Sequence, residues 1–138
     1  MKLKIKTSEL KAIEAHALSQ YPQECCGLLK GKSAKDAADV EKTVEADNVL
    51  GSPVAFEVNP EFIYRQYKQA EEEGVEIVGI YHSHPDVPAR LSFRDLEIIK
   101  FWPGAAWLIL SVTKNRVLER RAYLQRDDRI EELELVVS

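Results

Sequence analysis

VEIVGIYHSHP, residues 75–85, is the stretch on which the fold turns. Its first eight residues are nearly all apolar or β-branched, the pattern of a central strand buried on both faces. Residues two apart in a strand point to the same side. His82 and His84 therefore project together at the carboxyl end of this strand, where α/β sheets commonly place their chemistry. Pro85 then takes the chain out of the ladder.

The flanking segments supply helices and further strands. Upstream, Asn59-Pro60 starts a helix over 61–73 that turns Ile63, Tyr67 and Ala70 inward and closes at Gly74. Phe56 and Val58 predict a brief strand before it, and 48–53 a loop. Residues 40–49 fit a strand after the polar turn KSAKDAAD, and 25–30 a short apolar strand ending at Gly31. Residues 8–20 read as a helix with Leu10, Ile13, Ala17 and Tyr21 on one stripe, stopped by Pro22. Residues 3–6 look like a strand. Downstream come a helix over 93–101 and strands over 106–113, 117–124 and 130–137. Alternating helices and strands followed by a run of strands predict an α/β (α+β) fold, a mixed sheet flanked by helices, with residues 1–138 as a single domain.

Composition narrows the function. Apolar residues make up 45% and charged residues 30%, as in globular proteins generally. The net charge is -4, and the basic residues are scattered, so no nucleic acid partner is expected. The longest apolar run, 105–110, is far short of the roughly 20 residues that a membrane span needs. The start, MKLKIKTSELK, lacks the apolar stretch of a secretory signal, so a cytoplasmic protein is expected. The only cysteines, Cys25 and Cys26, are adjacent and read as reduced thiols, with a redox vicinal pair as the alternative. Trp102 and Trp107 read as packing residues, and Glu71 to Glu73 as a solvated helix end. The charged tail RDDRIEELELVV reads as an edge strand, guarded by its charges or used as a homodimer contact.

Two imidazoles side by side can grip a divalent metal, and zinc is the usual occupant of mixed nitrogen and oxygen sites. Asp95 lies eleven residues beyond His84, in the first turn of a predicted helix, and can fold back to complete three protein ligands. Three ligands leave one tetrahedral position for water, the open coordination of a catalytic zinc. SFRD also has the form of a capping box, with Ser92 as N-cap and Asp95 at N3. The two uses compete for the Asp95 oxygens. HSHPD matches the start of the H-x-H-x-D-H metal motif, but that site needs several more histidines and only His16 remains. His16 reads as a surface or boundary residue of the first helix. The zinc deaminase signature fails, because no P-C-x-x-C is present. The third ligand must then be a carboxylate, either Asp95 or Asp86.

An early glutamate, then H-S-H-P, six residues, then S-x-x-D, resembles the motif of the JAMM/MPN+ (JAB/MPN) metalloproteases. The matching residues are Glu24 in PQECCGLLKG, His82, His84, Pro85, Ser92 and Asp95. ECCGLL after the first helix, Asn48, Phe56 and the Pro60-Glu61 helix start are similar to the compact prokaryotic members, over at least residues 1–124. The resemblance implies the family fold, a curved mixed sheet between helices of the cytidine-deaminase-like type. It implies one Zn2+ per chain held by His82, His84 and Asp95, with Glu24 as general base and Ser92 stabilising the oxyanion. It also implies a metallopeptidase or isopeptidase that cuts after the C-terminal Gly-Gly of a ubiquitin-like, sulfur-carrier type protein. The substrate tail is expected to pair with an exposed strand edge. Leu91 stands where many prokaryotic relatives have proline, and the long insertions that grip ubiquitin chains are missing, which sets linkage-specific deubiquitination aside. The alternative is a catalytically silent MPN-type scaffold that only binds partner proteins. Such scaffolds usually lack the ligands, and this chain keeps them all.

Overall fold

β4 (Glu76–Pro85) runs through the middle of the sheet, as its apolar run predicts. The computed structural model describes residues 1–138. Around β4 lie β1 (Lys2–Ile5), α1 (Thr7–Gln20), β2 (Cys26–Ala34), β3 (Ala37–Ala46), α2 (Pro60–Glu73), α3 (Phe93–Ile98), β5 (Ala106–Val112), β6 (Val117–Arg126) and β7 (Arg129–Val137). The strand order is β1-β3-β2-β4-β5-β6-β7, and the curved sheet closes on itself through β7 and β1. β4 is antiparallel to β2 and parallel to β5, which makes the sheet mixed.

Alternation along the strands sorts side chains into two cores. Tyr81 and, on β5, Leu108 and Leu110 join Leu10, Ile13 and Ala17 of α1 in the larger cluster. Ile80, Trp107 and Ile109 join Phe56, Val58 and Ile99 in the second, with Phe62 and Ile63 of α2 packed against it. The sheet therefore curls around α1 and carries α2 and α3 on its other side. Burial of this apolar surface, at about 25 cal/mol per Å2, is the main force holding the layers together. Gly27 is needed for it: a Cβ there would lie 2.2 Å from the Tyr81 ring.

Several boundaries differ from the sequence reading. β2 and β3 extend almost to the hairpin tip, so most of the polar segment KSAKDAAD is strand. The exposed faces of a curved ribbon tolerate polar residues as long as the backbone pairs, and Ser33 and Ala34 pair with Ala38 and Ala37. Phe56 and Val58 are buried in a loop, not a strand, because their side chains anchor it to the second core. On α2 the half-buried face is Phe62, Ile63 and Gln66, whereas Tyr67 is exposed. The predicted helix over 93–101 splits into α3 and a 3-10 turn, Ile99–Phe101. Glu73 is not merely solvated: it pairs at 3.2 Å with Lys30, whose side chain is buried.

His16 is buried, and its Nδ1 lies 2.7 Å from the Tyr81 hydroxyl, because the sheet covers even the edge of the α1 stripe. The charged tail is not an edge strand either. β7 pairs with β6 through Arg129–Leu133 and with β1 through Glu134–Val137. The edge that a homodimer would use over those last residues is taken by β1 of the same chain. No helix is long and apolar enough to cross a membrane.

Candidate metal and catalytic site

His82 and His84 share the face of β4 that carries Ile80, and both are buried. Phe56 stacks on the His82 ring at 4.4 Å between centroids, and Trp107 meets it edge-on at 5.4 Å. These two aromatics fix the ring orientation. The His84 ring is held from outside by the Pro88 carbonyl, 2.9 Å from Nδ1. A proton on Nδ1 there leaves Nε2 with its lone pair directed inward.

Asp95 reaches this pair from the first turn of α3. Its Oδ1 lies 3.2 Å from His82 Nε2, and its Oδ2 lies 3.0 Å from His84 Nε2. The capping box is also present. Asp95 N–H donates to Ser92 Oγ at 3.0 Å, and Ser92 N–H donates to Asp95 Oδ2 at 2.9 Å. The competition seen in the sequence resolves by sharing: Oδ2 serves cap and imidazole together, and Oδ1 remains for His82. Asp86 takes no part. Its carboxylate accepts the Tyr21 hydroxyl at 2.6 Å instead.

His82, His84 and Asp95 thus offer three ligand atoms within 4.8 Å of one another, all from buried residues. The two Nε2 atoms approach to 3.2 Å. Two imidazole nitrogens so close, facing a carboxylate, favour positive charge among them, as protons in the metal-free chain or as a cation that displaces those protons. Hydrogen bonds from both imidazoles outweigh burial and hold the Asp95 carboxyl well below the usual carboxylate range. Burial drives the His82 ring toward its neutral form. Burial opposes charge on His84 too, but Asp95 and the Pro88 carbonyl raise its pKa overall. Two nitrogens and a carboxylate oxygen are a donor set that fits zinc.

Glu24 lies just ahead of β2. Its N–H donates to the Ser52 carbonyl at 2.9 Å, and the Asn48 side-chain amide donates to the Glu24 carbonyl at 3.0 Å. The Glu24 side-chain Oε1 is buried and has no hydrogen-bond partner. Burial pushes the carboxyl up to about 8, while His84 pulls it down, Asp95 pushes it up and Arg94 pulls it down. Glu24 therefore lies close enough to His84 and Asp95 for their charges to act on its carboxyl, and the accepting capacity of Oε1 is unused. Cys25 and Cys26 are buried free thiols that burial pushes to about 12, too high to ionise near neutrality. Leu91 packs against the second core. A cleft of about 470 Å3 lined by His84, Val87, Pro88, Arg90, Leu91 and Ser92 opens beside these groups.

The structure brings together His82, His84, Asp95 and Ser92, and the charges of His84 and Asp95 act on the Glu24 carboxyl. The sequence did not reveal the work of Ser83, Pro88 and Trp107. Pro88 acts through its carbonyl and Ser83 through a hydroxyl bonded to the Cys25 amide at 2.8 Å. No local pattern marks either contact.

Comparison with known proteins places this geometry among relatives. The profile of prokaryotic homologues of the JAB domain matches residues 6–124. A desampylase of Pyrococcus furiosus is 40% identical over 122 residues, covering 88% of this chain and 81% of the relative. A probable TtuB-protein conjugate cleaving protease of Thermus thermophilus is 36% identical over 89 residues, covering 64% of this chain and 57% of the relative. The solution structure of a protein from Desulfitobacterium hafniense superposes with a TM-score of 0.87 at 28% identity, covering 99% of this chain and 92% of that one.

Proposed function

The chain belongs to the family of prokaryotic JAB-domain homologues, compact JAMM-type peptidases, and from that membership and the site geometry we propose a zinc-dependent peptidase or isopeptidase. It hydrolyses the bond after the C-terminal Gly-Gly of a ubiquitin-like carrier protein of the sulfur-carrier type. The observation that carries this reading is the buried convergence of His82, His84 and Asp95, with a partnerless Glu24 oxygen on a carboxyl that feels the charges of His84 and Asp95. Similarity to the Thermus relative, a probable TtuB-protein conjugate cleaving protease, supports the substrate class.

His82, His84 and Asp95 would hold one zinc ion, which when bound lowers the pKa of water from 15.7 toward about 7 and polarises a carbonyl. Glu24 takes the proton from the attacking water and delivers it to the leaving amine. Burial makes Glu24 a stronger base than a free carboxylate, and the positive charge of a bound metal would keep it ionised at neutral pH. Ser92 accepts the Asp95 amide at Oγ, so its hydroxyl proton is free to donate to the developing oxyanion. Phe56 and Trp107 exclude water from the His82 side and keep the electrostatics strong. The cleft beside His84 and Ser92 receives the extended tail, where residues without side chains meet least resistance.

The test is hydrolysis of a carrier protein bearing an extension after its Gly-Gly, followed by mass spectrometry. Release of the extension by zinc-loaded enzyme, abolished by a chelator, supports the reading. Intact substrate with the fully loaded enzyme overturns it.

A further inference from the structure

Asp86, the rival ligand, is one of three non-glycine residues with positive φ, at 62°. Such a backbone costs free energy for most residues, although Asp tolerates it better than others. It follows His84 by two positions and turns the chain sharply as β4 ends, with its N–H donating to the Val112 carbonyl at 2.8 Å. The turn aims its carboxylate at Tyr21, whose hydroxyl donates to Oδ2 at 2.6 Å.

Tyr21 caps the C-terminus of α1, and its ring packs against the larger core. Between Tyr21 and β2 the chain runs alongside the end of β4. Cys25 N–H donates to Ser83 Oγ at 2.8 Å, and Ser83 N–H donates to the Cys25 carbonyl at 3.2 Å. Glu24 lies between these two attachments on one segment, and His84 lies between them on the other. The inner rung is Cys25–Ser83 and the outer rung is Tyr21–Asp86. Glu24 and His84 are thus bracketed by two hydrogen-bonded rungs.

We propose that the Tyr21–Asp86 hydrogen bond is a latch that positions Glu24 against His84, and that its loss slows proton transfer while leaving metal and substrate binding intact. This rests on the role given to Glu24 above. Tyr21 and Asp86 act through Glu24 and touch neither substrate nor metal. Displacing a catalytic group by about 1 Å can cost up to about 100-fold in rate.

The test uses the full chain with Tyr21→Phe, Asp86→Gly and Asp86→Asn. Glycine keeps the positive φ but removes the acceptor, whereas asparagine keeps both the φ and an acceptor oxygen. Tyr21→Phe and Asp86→Gly should each lower kcat by about tenfold or more, with KM and zinc affinity unchanged. The double variant should lose no more than either alone, and Asp86→Asn should retain most of the rate. Without metal or substrate, amide exchange at Cys25 should be faster in Tyr21→Phe than in the unaltered chain. Unchanged kcat in Tyr21→Phe, an equal loss in zinc affinity, or Cys25 exchange that stays as slow would each overturn the latch. If the unaltered zinc-loaded chain cleaves no carrier extension, the functional reading falls and the latch falls with it. If it cleaves and Tyr21→Phe cleaves equally fast, only the latch falls.

Discussion

Glu24 separates the residues of this site by how they could be read. His82 and His84 are legible because a strand's period of two puts them on one face, and Asp95 because Ser92 marks the start of a helix. Glu24 offers no local signal. Its partners lie some sixty residues away across the sheet, and only the resemblance singled it out. Glu24→Gln should bind zinc as before and lose about 100-fold or more in kcat, since only proton transfer is removed. Steady-state kinetics beside a zinc titration decides this. Ser92→Ala should lower kcat by about 100-fold through the missing donor. It should also cost about 1 kcal/mol of stability through the missing cap, read from denaturant unfolding. A pH effect follows from the raised Glu24 pKa of about 8, caused first by burial. In the metal-free folded chain Glu24 keeps a proton between roughly pH 4.5 and 8 that the unfolded chain has lost. Its contribution to stability is complete below pH 4.5 and disappears as pH rises through 8. Metal-free Glu24→Gln should therefore show a flatter decline in melting temperature across that window than the unaltered chain.

At the scale of elements, α3 matters because it delivers Asp95, and its start is set by one capping box. Asp95→Asn should weaken zinc binding by more than about 100-fold, beyond the usual effect of an outer-shell change, while Asp86→Asn should leave it unchanged. The opposite ranking in a zinc titration would assign the wrong aspartate. β4 was legible because a central strand is apolar along its length, and α1 because its stripe is regular. His16 was misread because the stripe alone does not say how far the sheet curls over the helix. Phe56 and Val58 were misread as a strand because apolar alternation is shared by strands and by loops anchored in a core. The split of the third helix into two turns depends on packing of Ile99 in the second core, which local propensity does not encode.

At the scale of the whole molecule, the sequence predicted a mixed curved sheet between helices, and the closure by β7 against β1 was out of reach. That pairing joins the two ends of the chain, and neither end carries a pattern that names the other. The charges on β7 read as an edge guard, but they belong to the outer face of a closing strand. Folding also ties metal binding to stability, since the folded chain alone presents His82, His84 and Asp95 together. Zinc at about 100 times its dissociation constant should stabilise the chain by about 2.7 kcal/mol, and His84→Ala should abolish that gain. The most direct test of the central claim is X-ray absorption at the zinc edge of the loaded protein. The account predicts nitrogen and oxygen scatterers only, two of them imidazoles, with no sulfur. Sulfur in the shell, from Cys25 or Cys26, or a spectrum without imidazole, would contradict it.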